Sequence, residues 1–419
     1  MKTINIGIIG LGVVGSGVIE IIKNNSSILQ NRTDIKINVV QVCSRSSDKA
    51  KKLGLSKIWT NKYSDIINNP LIDVIVELIG GYNPAYEIIM DSIKAKKHVI
   101  TANKAVLAKH GYKIFEEAKK NNVNILFEAA IAGCIPIVKA IEESFSSDKI
   151  SKIYGILNGT TNYILTRMSE GMSYSDALSK AQELGFAESD PTFDVEGMDA
   201  SQKLLLLSSL AFDAYITESS YVEGITKITS SDLKYANQLG YTIKLIAISK
   251  KQDKNIEMRT HPTMIPKNHT FANVNEEINS VLLYGNNIGE ISISGKGAGK
   301  APTATVVVSD ILEMASRGKI TYRKFIKKSL KPMNNIVSRY YLRFNVVERP
   351  GVLAEITKIL GQNNISISGF WQKEVEKKIV PIVILTHECK EKNMKKAFSL
   401  INKLSIVKSS GIMIRIEDL

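Results

Sequence analysis

Residues 4–22 read INIGIIGLGVVGSGVIEII, and they set the architecture of the N-terminal part of the chain. An apolar strand, residues 4–9, meets glycines in G-x-G-x-x-G spacing, and an apolar helix follows through Ile22. Glycine permits a tight turn, and the free N–H groups at a helix start favour a phosphate. Between a strand and a helix, this spacing predicts a dinucleotide site rather than a mere tight turn, formed by Gly10, Leu11, Gly12, Val13, Val14 and Gly15.

The second predicted strand, residues 37–43, ends in Ser44, Arg45, Ser46 and Ser47. NAD-selective sites usually place an acidic residue at this strand end for the ribose 2′-hydroxyl, and none stands here. Because a guanidinium with neighbouring hydroxyls suits a 2′-phosphate, we predict a preference for NADP, with use of NAD left open. The alternative interpretation of Arg45 is a surface arginine.

Two further strands are predicted in residues 73–81 (DVIVELIGG) and 96–108 (KKHVITANKAVLA). The second ends in Thr101, Ala102, Asn103 and Lys104. Since polar groups at the carboxyl ends of parallel strands line the ligand crevice, we expect Thr101 and Lys104 to face the cofactor, with Lys104 also near the substrate. The alternative is a lysine at a helix start that faces water.

The stretch 124–138, NILFEAAIAGCIPIV, predicts another strand followed by a bend of small residues. Exposed carbonyl oxygens in such a bend could coordinate a monovalent cation, but the residues by themselves give this idea only weak support.

Residues 155–207 are an acidic segment in an otherwise basic chain. Several carboxylates stand close together in this segment, just ahead of an apolar run, LLLLSSLAF. Asp199 and Lys203 are four residues apart and therefore share a helix face at the edge of a dry core. Such a pair can hold an amine and move a proton, whereas an exposed salt bridge is the alternative. The preceding polar segment, residues 158–162, predicts either an anion cradle or a helix N-cap.

Downstream, GKGAGK, residues 295–300, predicts a glycine loop over the cofactor, followed by a helix. Residues 336–419 then predict the order βαββαβ, which forms an antiparallel sheet with both helices on one face. We expect the exposed edges of that sheet to pair with a second copy.

Composition narrows the function classes. The chain has 419 residues and a formal net charge of +14, but we expect no nucleic-acid partner, because no helix-turn-helix or RNA-binding pattern accompanies the charge. The basic run at 315–347 is interpreted as a solvated connection between domains. No apolar run is long enough for a membrane span, and three scattered cysteines predict a reducing compartment, the cytoplasm. His261 and His269 are expected in loops, without metal-ligand spacing.

The chain resembles homoserine dehydrogenase with a C-terminal ACT domain over essentially its whole length. The resemblance is carried by GILNGTTNYILTRM (155–168), by AQELGFAESDPTFDVEGMDASQKL (181–204) and by ERPGVLAEIT (348–357). It implies an α/β fold of three parts: a Rossmann dinucleotide-binding domain (1–130), an α+β catalytic and dimerisation domain (131–335) whose last helix returns to the first domain, and a ferredoxin-like ACT regulatory domain (336–419). With the first strand at Ile4, the monofunctional form is expected.

The resemblance also implies an activity: the interconversion of L-homoserine and L-aspartate 4-semialdehyde with NADP or NAD, in threonine and methionine biosynthesis. Lys203 is similar to the family's proton donor and acceptor, and Lys104 to a second essential lysine beside the nicotinamide. Glu188 and Asp199 match substrate-binding residues, with Asp194 in support.

Further implied residues are Gly185 and Gly299 at the cofactor, and a site for Na⁺ or K⁺ formed largely by main-chain oxygens of Glu128, Ile131, Gly133 and Ile135. Cys134 stands where the family commonly has glycine. Threonine is the implied effector of the ACT domain, and a homodimer or homotetramer the implied assembly. Two rival functions are a regulatory sensor without activity, and an aldehyde-oxidising dehydrogenase, which generally needs a nucleophilic cysteine.

Overall fold

The computed structural model describes residues 1–316, 324–372 and 378–419. The chain divides into two compact units. Unit 1 comprises Met1–Ser151, Gln202–Ile216 and Asn279–Lys328; unit 2 comprises Lys152–Ser201, Thr217–Ile278 and Ser329–Leu419.

From the N-terminus to residue 139, successive strands are separated by one or two helices. They are β1 (Lys2–Ile9), α1 (Val13–Asn24), α2 (Ser26–Thr33), β2 (Ile35–Cys43), α3 (Asp48–Lys52), β3 (Trp59–Thr60), α4 (Tyr63–Ile67), β4 (Val74–Glu77), α5 (Ala85–Lys94), β5 (His98–Thr101), α6 (Lys104–Asn121), β6 (Ile125–Leu126) and α7 (Ile137–Lys139).

The middle of the chain has a helical stretch between longer strands. Its elements are β7 (Ile150–Ile156), α8 (Gly159–Ser169), α9 (Tyr174–Glu183), α10 (Thr192–Val195), α11 (Met198–Phe212), β8 (Ala214–Tyr215), β9 (Tyr221–Val222), α12 (Ser230–Gln238), β10 (Tyr241–Lys251), β11 (Asn255–Pro266), β12 (Ile278–Gly285) and β13 (Gly289–Lys296).

The remaining elements begin with a long helix and end with a strand. They are α13 (Lys300–Ser316), β14 (Ile326–Lys327), β15 (Ser329–Leu330), β16 (Val337–Val347), α14 (Val352–Gln362), β17 (Ile367–Gln372), β18 (Ile379–Thr386), β19 (Cys389–Lys390), α15 (Glu391–Asn402) and β20 (Ile412–Ile416). None of the described helices is long and apolar enough to cross a membrane.

Unit 1 contains the predicted parallel sheet. Its strand order is β3-β2-β1-β4-β5-β6, and every neighbouring pair is parallel. The apolar strands are buried because helices cover the sheet, which is typical of parallel sheets. One core cluster joins residues of β1 and α1, such as Ile6 and Val18, to Val307 of α13. The helix after the glycine loop therefore packs on the first sheet.

Strand order reverses in this sheet between β1 and β4, since β2 and β3 lie on one side and β5 and β6 on the other. Ligands of open parallel sheets bind at such a switch point, outside the carboxyl ends of the strands. We call the carboxyl ends of β1, β2, β4 and β5 the cofactor edge.

Unit 2 contains a mixed sheet in the order β7-β10-β11-β20-β16-β18-β17. β10 and β11 form its longest antiparallel pair. From β16 to β20 the predicted βαββαβ order is confirmed, and the strands β20-β16-β18-β17 pair antiparallel. Apolar residues of α14 and α15, including Ile356 and Met394, share one core cluster with β16 and β18.

The expectation that the edges of the C-terminal sheet are exposed is wrong at β20, because another strand of the same chain pairs with it. β20 pairs in parallel with β11, in the register Thr263↔Arg415 and Met264↔Ile416. The expectation for His261 is also wrong: it is fully buried in β11 rather than placed in a loop. The strand residues on both sides of His261 are buried as well, and the spacing between histidines does not reveal this context.

The interpretation of residues 315–347 as a solvated connection is wrong for its second part. Arg339 and Arg343 lie in β16, and Nε of Arg343 is 2.7 Å from Oδ1 of the fully buried Asp232. The run's lysines and arginines at 317–323 lie outside the described residues.

Candidate active site

The glycine turn at the cofactor edge has the backbone geometry that its spacing predicts. Gly10 adopts φ +109°, and a Cβ there would lie 2.7 Å from the carbonyl oxygen of Leu78. A Cβ on Gly15 would lie 2.0 Å from the carbonyl oxygen of Gly10. Both positions therefore require glycine, one for the turn conformation and the other for the contact between helix and strand.

Gly12 has a different role in the same turn. It is the N-cap of α1 with extended backbone, no side chain caps the helix, and a Cβ there would have open space around it. The side of the turn at Gly12 is thus open to a ligand, beside the N–H groups of a 12-residue helix. Of the neighbouring residues, Leu11 is buried and Val13 is exposed.

Arg45 is exposed just beyond the end of β2. The neighbouring hydroxyls are engaged within the loop, since Ser44 donates to the carbonyl oxygen of Ser46, and Ser46 donates to Asp48. An exposed guanidinium at this strand end can bind a phosphate by charge-assisted hydrogen bonds.

Helix α6 begins at the cofactor edge with the half-buried Lys104 as its first residue. Asn103 is its N-cap and accepts a hydrogen bond from the N–H of Val106 at 3.2 Å. Thr101 is fully buried, and its hydroxyl donates to Glu77 at 2.6 Å. Any contact of Thr101 with a cofactor would therefore come from its main chain.

The predicted cation bend follows β6 in unit 1. Both carboxylate oxygens of the buried Glu128 accept main-chain N–H groups, from Val138 at 2.7 Å and from Lys139 at 2.9 Å. Burial raises the pKa of Glu128, against the lowering effect of these hydrogen bonds. Gly133 adopts φ +61°, and a Cβ there would lie 2.4 Å from the main chain of Gly297.

The bend offers the buried carboxylate of Glu128 and the main-chain carbonyl groups of its small residues, and oxygen donors of these kinds suit a hard cation. Among the described residues, no cluster of three His, Cys, Asp or Glu side chains could hold a metal ion. A cation here would therefore rest mainly on main-chain oxygens.

In unit 2, Asn158 joins the carboxylates of the acidic segment. Its Nδ2 donates to Oδ1 of Asp194 at 2.7 Å and to Oδ2 of Asp199 at 2.9 Å. Its Oδ1 caps α8 by accepting from the N–H of Thr161 at 2.9 Å. The N-cap interpretation is confirmed, and the same side chain also sets the spacing of two predicted substrate ligands.

Helix α11 carries Asp199 in its first turn and Lys203 one turn later. Their exposed fractions are 4% and 8%, and the apolar side chains of Leu204 and Leu207 behind them are fully buried. The alternative of an exposed salt bridge is therefore wrong. A carboxylate and an ammonium group on one face of a dry helix can bind a polar substrate and exchange a proton.

The start of α8 is fixed tightly beneath these carboxylates. A Cβ on Gly159 would lie 2.6 Å from the carbonyl oxygen of Glu277. The buried Lys244 donates to Oδ1 of Asn162 at 3.1 Å and to the carbonyl oxygen of Val274 at 2.7 Å. Burial lowers the pKa of Lys244 to about 8. These contacts explain why the segment needs glycine and asparagine as well as a cap.

The other predicted residues lie in loops and short elements. Glu188 is exposed between α9 and α10, where Gln182 donates to its carbonyl oxygen at 3.0 Å. Asp194 is half-buried in α10. Gly185 follows α9 with φ +74°, and Gly299 precedes α13 with φ +122°.

Two residues of these regions were not among the predicted site residues. Asn158 stood in a segment singled out only as a cap or cradle, and an amide has the two donors that can bridge two carboxylates. Glu77 is fully buried at the end of β4. A single acidic residue at the end of an apolar strand, in VIVELIGG, is the signal that points to it.

Comparisons with protein families cover most of the chain. Residues 136–312 match the family model described as homoserine dehydrogenase, and residues 10–128 match the model described as homoserine dehydrogenase, NAD binding domain. Residues 340–405 match the ACT domain model.

Individual proteins give the same picture. A homoserine dehydrogenase of Neisseria gonorrhoeae is 41% identical, with 100% of both chains covered. The structure of a homoserine dehydrogenase from Thiobacillus denitrificans is similar with a TM-score of 0.94 at 40% identity, covering 100% of this chain and 99% of that chain. A hyperthermophilic archaeal homoserine dehydrogenase in complex with NADPH has a TM-score of 0.64 at 25% identity, covering 75% of this chain and 98% of that one.

Proposed function

The chain belongs to the homoserine dehydrogenase family of NAD(P)-dependent oxidoreductases, and on this premise we propose how its own residues carry the reaction. The substrate pair is L-homoserine and L-aspartate 4-semialdehyde. Lys203 exchanges the proton at the substrate oxygen, Asp199 and Glu188 hold the amino and hydroxyl groups with Asp194 in support, and Lys104 lies beside the nicotinamide.

The observation that carries this assignment is the burial of Asp199 and Lys203 on one face of α11, with exposed fractions of 4% and 8%. Asn158 adds to it by donating to both Asp194 and Asp199. A carboxylate held by an amide keeps a defined orientation, and a cationic amine of the substrate would compensate its charge in a dry site.

Hydride transfer to the aldehyde carbon, or from C4 of homoserine in the reverse direction, is the chemistry that a bound nicotinamide would supply. The chain's task is to complete the proton balance at oxygen. When the aldehyde is reduced, the ammonium group of Lys203 stabilises the developing alkoxide and donates a proton to it, leaving a neutral amine. In the oxidising direction the neutral amine removes the hydroxyl proton.

Lys203→Ala tests the assignment. We expect kcat to fall by about 10²-fold or more, the range of general acid–base catalysis. Lys180→Ala, at an exposed lysine paired with Glu183, is the matched control and should keep the wild-type kcat. A kcat of Lys203→Ala close to the wild type would remove this residue from the mechanism.

Asp199→Ala and Glu188→Ala test the substrate-binding roles. Both should lower kcat/KM for homoserine, with a rise in KM. An unchanged kcat/KM in either variant would contradict the role of that carboxylate. Turnover of NADPH with aspartate semialdehyde also separates the enzyme from the rival sensor function.

The preference for NADP rests on Arg45. Arg45→Ala removes the guanidinium that would bind the 2′-phosphate, so kcat/KM should fall more for NADP than for NAD. The ratio of kcat/KM with NADP to kcat/KM with NAD should therefore be smaller in the variant than in the wild type. A wild-type kcat/KM with NAD equal to or above that with NADP would overturn the preference.

A monovalent cation, Na⁺ or K⁺, would be held by Glu128, Ile131, Gly133 and Ile135, and it would neutralise charge on the surrounding oxygens. Its support is the donor set of the bend. Replacing Na⁺ and K⁺ by a bulky organic cation at constant ionic strength should lower the thermal midpoint of the protein as well as its activity; if both persist, the cation proposal is wrong.

For residues 336–419 we propose that threonine binds the ACT domain and inhibits the enzyme. We also propose that the enzyme acts in threonine and methionine biosynthesis. Threonine at millimolar concentration should lower the rate, and an unchanged rate would refute the inhibition. We also propose domain limits near residues 130 and 335. The proposed assembly is a homodimer or a homotetramer, and light scattering measures its mass. Cys43, Cys134 and Cys389 are free thiols, and the cytoplasmic location stays a prediction.

A further inference from the structure

A fully buried carboxyl group at the cofactor edge has no part in the reaction described so far. Glu77, the last residue of β4, has an exposed fraction of 0%. Its Oε1 accepts the N–H of Ile79 at 2.6 Å, and its Oε2 accepts the hydroxyl of Thr101 at 2.6 Å. One side chain thus ties the end of β5 to the loop that follows β4.

The connection continues through Asn103. The N–H of Asn103 donates to Oγ1 of Thr101 at 3.0 Å. Its Nδ2 donates to the carbonyl oxygens of Ile79 at 2.9 Å and Gly81 at 2.7 Å, while its Oδ1 caps α6. We call Glu77, Thr101, Asn103 and the main chain of Ile79 and Gly81 the Glu77 network.

The network lies at the switch point of the parallel sheet. Ile9 pairs with Glu77, and Glu77 pairs with Thr101, so the three residues form one row across β1, β4 and β5. The N–H of Leu78 donates to the carbonyl oxygen of Ile9 at 2.8 Å, next to the Gly10 turn. The loop fixed by the network therefore borders the glycine turn that would hold the pyrophosphate.

The outer side of this loop is open. Gly80 and Gly81 have no atoms within 4 Å of an added Cβ, and Gly81 adopts φ +83°. A loop that is tied on its inner side and open on its outer side suits a bound ring, because the protein supplies fixed main-chain atoms without reorganisation.

We propose that Glu77 is a positioning residue for hydride transfer: through Thr101 and Asn103 it fixes the loop 78–81 and the first turn of α6, and thereby sets where the nicotinamide and Lys104 stand. The role of Lys104 rests on the proposed function. The fixing of the loop 78–81 by Glu77 does not rest on the proposed function, because it concerns only how the cofactor is bound.

The side chain at this place accepts a hydrogen bond on each of its two oxygens. Both neighbours donate, since the hydroxyl hydrogen of Thr101 is free to point at Glu77 while its oxygen accepts from Asn103. An amide in place of Glu77 would turn one N–H₂ group towards a donor, which leaves a buried donor unsatisfied. Glu77→Gln therefore breaks the network with almost no change of volume.

The test measures the Kd of NADPH by fluorescence titration, together with kcat and the KM for homoserine, in Glu77→Gln and in the isosteric Thr101→Val. We expect kcat to fall tenfold or more in each and the Kd of NADPH to rise, with the KM for homoserine within about twofold of the wild type. Small displacements at a reacting centre have effects of up to about 10²-fold.

The double variant sharpens the result. If both residues act through one network, Glu77→Gln with Thr101→Val should lower kcat no further than the worse single variant. Asp148→Asn is the matched control, since this carboxylate holds the β12–β13 turn by accepting from Asn287 and Ile288, away from the cofactor edge. It should leave kcat and the Kd of NADPH unchanged.

A purely structural role would overturn the proposal. It would appear as a lower thermal midpoint in Glu77→Gln with kcat and the Kd of NADPH within twofold of the wild type. If Glu77→Gln does not fold, Thr101→Val alone decides by the same criteria. Suppose that the Kd of NADPH rises in Glu77→Gln while Lys104→Ala has the kcat of the wild type. The role of the Glu77 network in cofactor binding would then stand, and only the proposed role of Lys104 would be rejected.

Discussion

The cofactor edge of unit 1 and the junction of β11 with β20 in unit 2 both bury ionisable side chains, but they balance charge in different ways. At the cofactor edge, neutral donors, the N–H of Ile79 and the hydroxyl of Thr101, face the carboxyl group of Glu77. At the junction, guanidinium groups face carboxylates: Arg259 donates to Glu417, and Arg415 donates to Glu391.

The pKa values follow these partners. Burial raises the pKa of Glu77 to about 7, with its two hydrogen bonds acting in the opposite direction. Burial also opposes the ionisation of Glu391 and Glu417, but the guanidinium groups of Arg415 and Arg259 outweigh it and lower both pKa values. Residues of the same type at similar depth thus shift in opposite directions, and the nearest cation decides the direction.

The difference has a physical use. Paired charges at the junction stabilise a fixed arrangement of strands, because removal of one partner leaves an uncompensated charge. His261 is part of that arrangement, since burial, with Arg415 and Arg259 nearby, lowers its pKa well below the ordinary value and keeps it neutral. A carboxyl group among neutral donors instead fixes a loop by hydrogen bonds alone, at a cost in stability.

The largest effect is expected from removing a cation at the junction. Arg415→Met leaves the fully buried Glu391 without its guanidinium partner, so we expect a loss of about 3–5 kcal/mol in stability. Scanning calorimetry should show a fall of about 10 °C in the thermal midpoint of the transition that includes residues 336–419.

The control for Arg415→Met replaces both partners. In Arg415→Met, Glu391 still has the partly exposed Lys395 at 3.3 Å, which compensates its charge less well than a buried guanidinium. Arg415→Met with Glu391→Gln also removes the buried carboxylate and should recover part of the loss. A thermal midpoint of Arg415→Met within 2 °C of the wild type would show that the pair is not what holds this junction.

The pH dependence of stability should separate the two regions. The pKa of Glu77 rises on folding, so its contribution to stability is present below pH 4.5 and is lost as the pH rises through about 7. The pKa values of Glu391 and Glu417 fall on folding, so their contributions are present above pH 4.5 and are lost as the pH falls through the lowered values.

Urea unfolding of wild type and Glu77→Gln at pH 5 and pH 8 measures this contrast. The stability of the wild type relative to the variant should be greater at pH 5 than at pH 8, by about 2 kcal/mol. An equal difference at both pH values would mean that Glu77 ionises as an ordinary carboxyl group.

A smaller effect is expected from a neutral donor at the junction. The hydroxyl of the buried Tyr340 donates to Oε2 of Glu391 at 2.7 Å. Tyr340→Phe removes this charge-assisted hydrogen bond but leaves Arg415 in place, so we expect a loss of about 1.5 kcal/mol. Calorimetry would contradict the expectation if Tyr340→Phe lost as much as Arg415→Met.

The smallest effect sets the baseline for exposed charge. Lys180 and Glu183 form an ion pair at 2.7 Å on α9, with side chains that are 46% and 68% exposed. Solvent screens such a pair, so Lys180→Ala should leave the urea unfolding midpoint equal to that of the wild type. A clear fall in the midpoint would show that exposed pairs here count as much as buried ones.

Local sequence patterns were sufficient to predict several elements of the fold and the site. The glycine spacing after Ile9 predicted the turn, the helix start and the side open to a ligand, because each depends on a few neighbouring residues. The i,i+4 spacing of Asp199 and Lys203 predicted a shared helix face, and the apolar run after them predicted its burial. The βαββαβ order followed from periodicity in the same way.

The partners of buried charges were decided only by tertiary structure. The pairing of β20 with β11 joins residues about 150 positions apart, the bonds from Asn158 cross some 40, and the Glu77 network joins two strand ends. No spacing rule links such residues, because their approach depends on how whole strands align. The sequence determined the elements and the family chemistry, whereas the fold determined which buried carboxylates meet a cation and which meet only neutral donors.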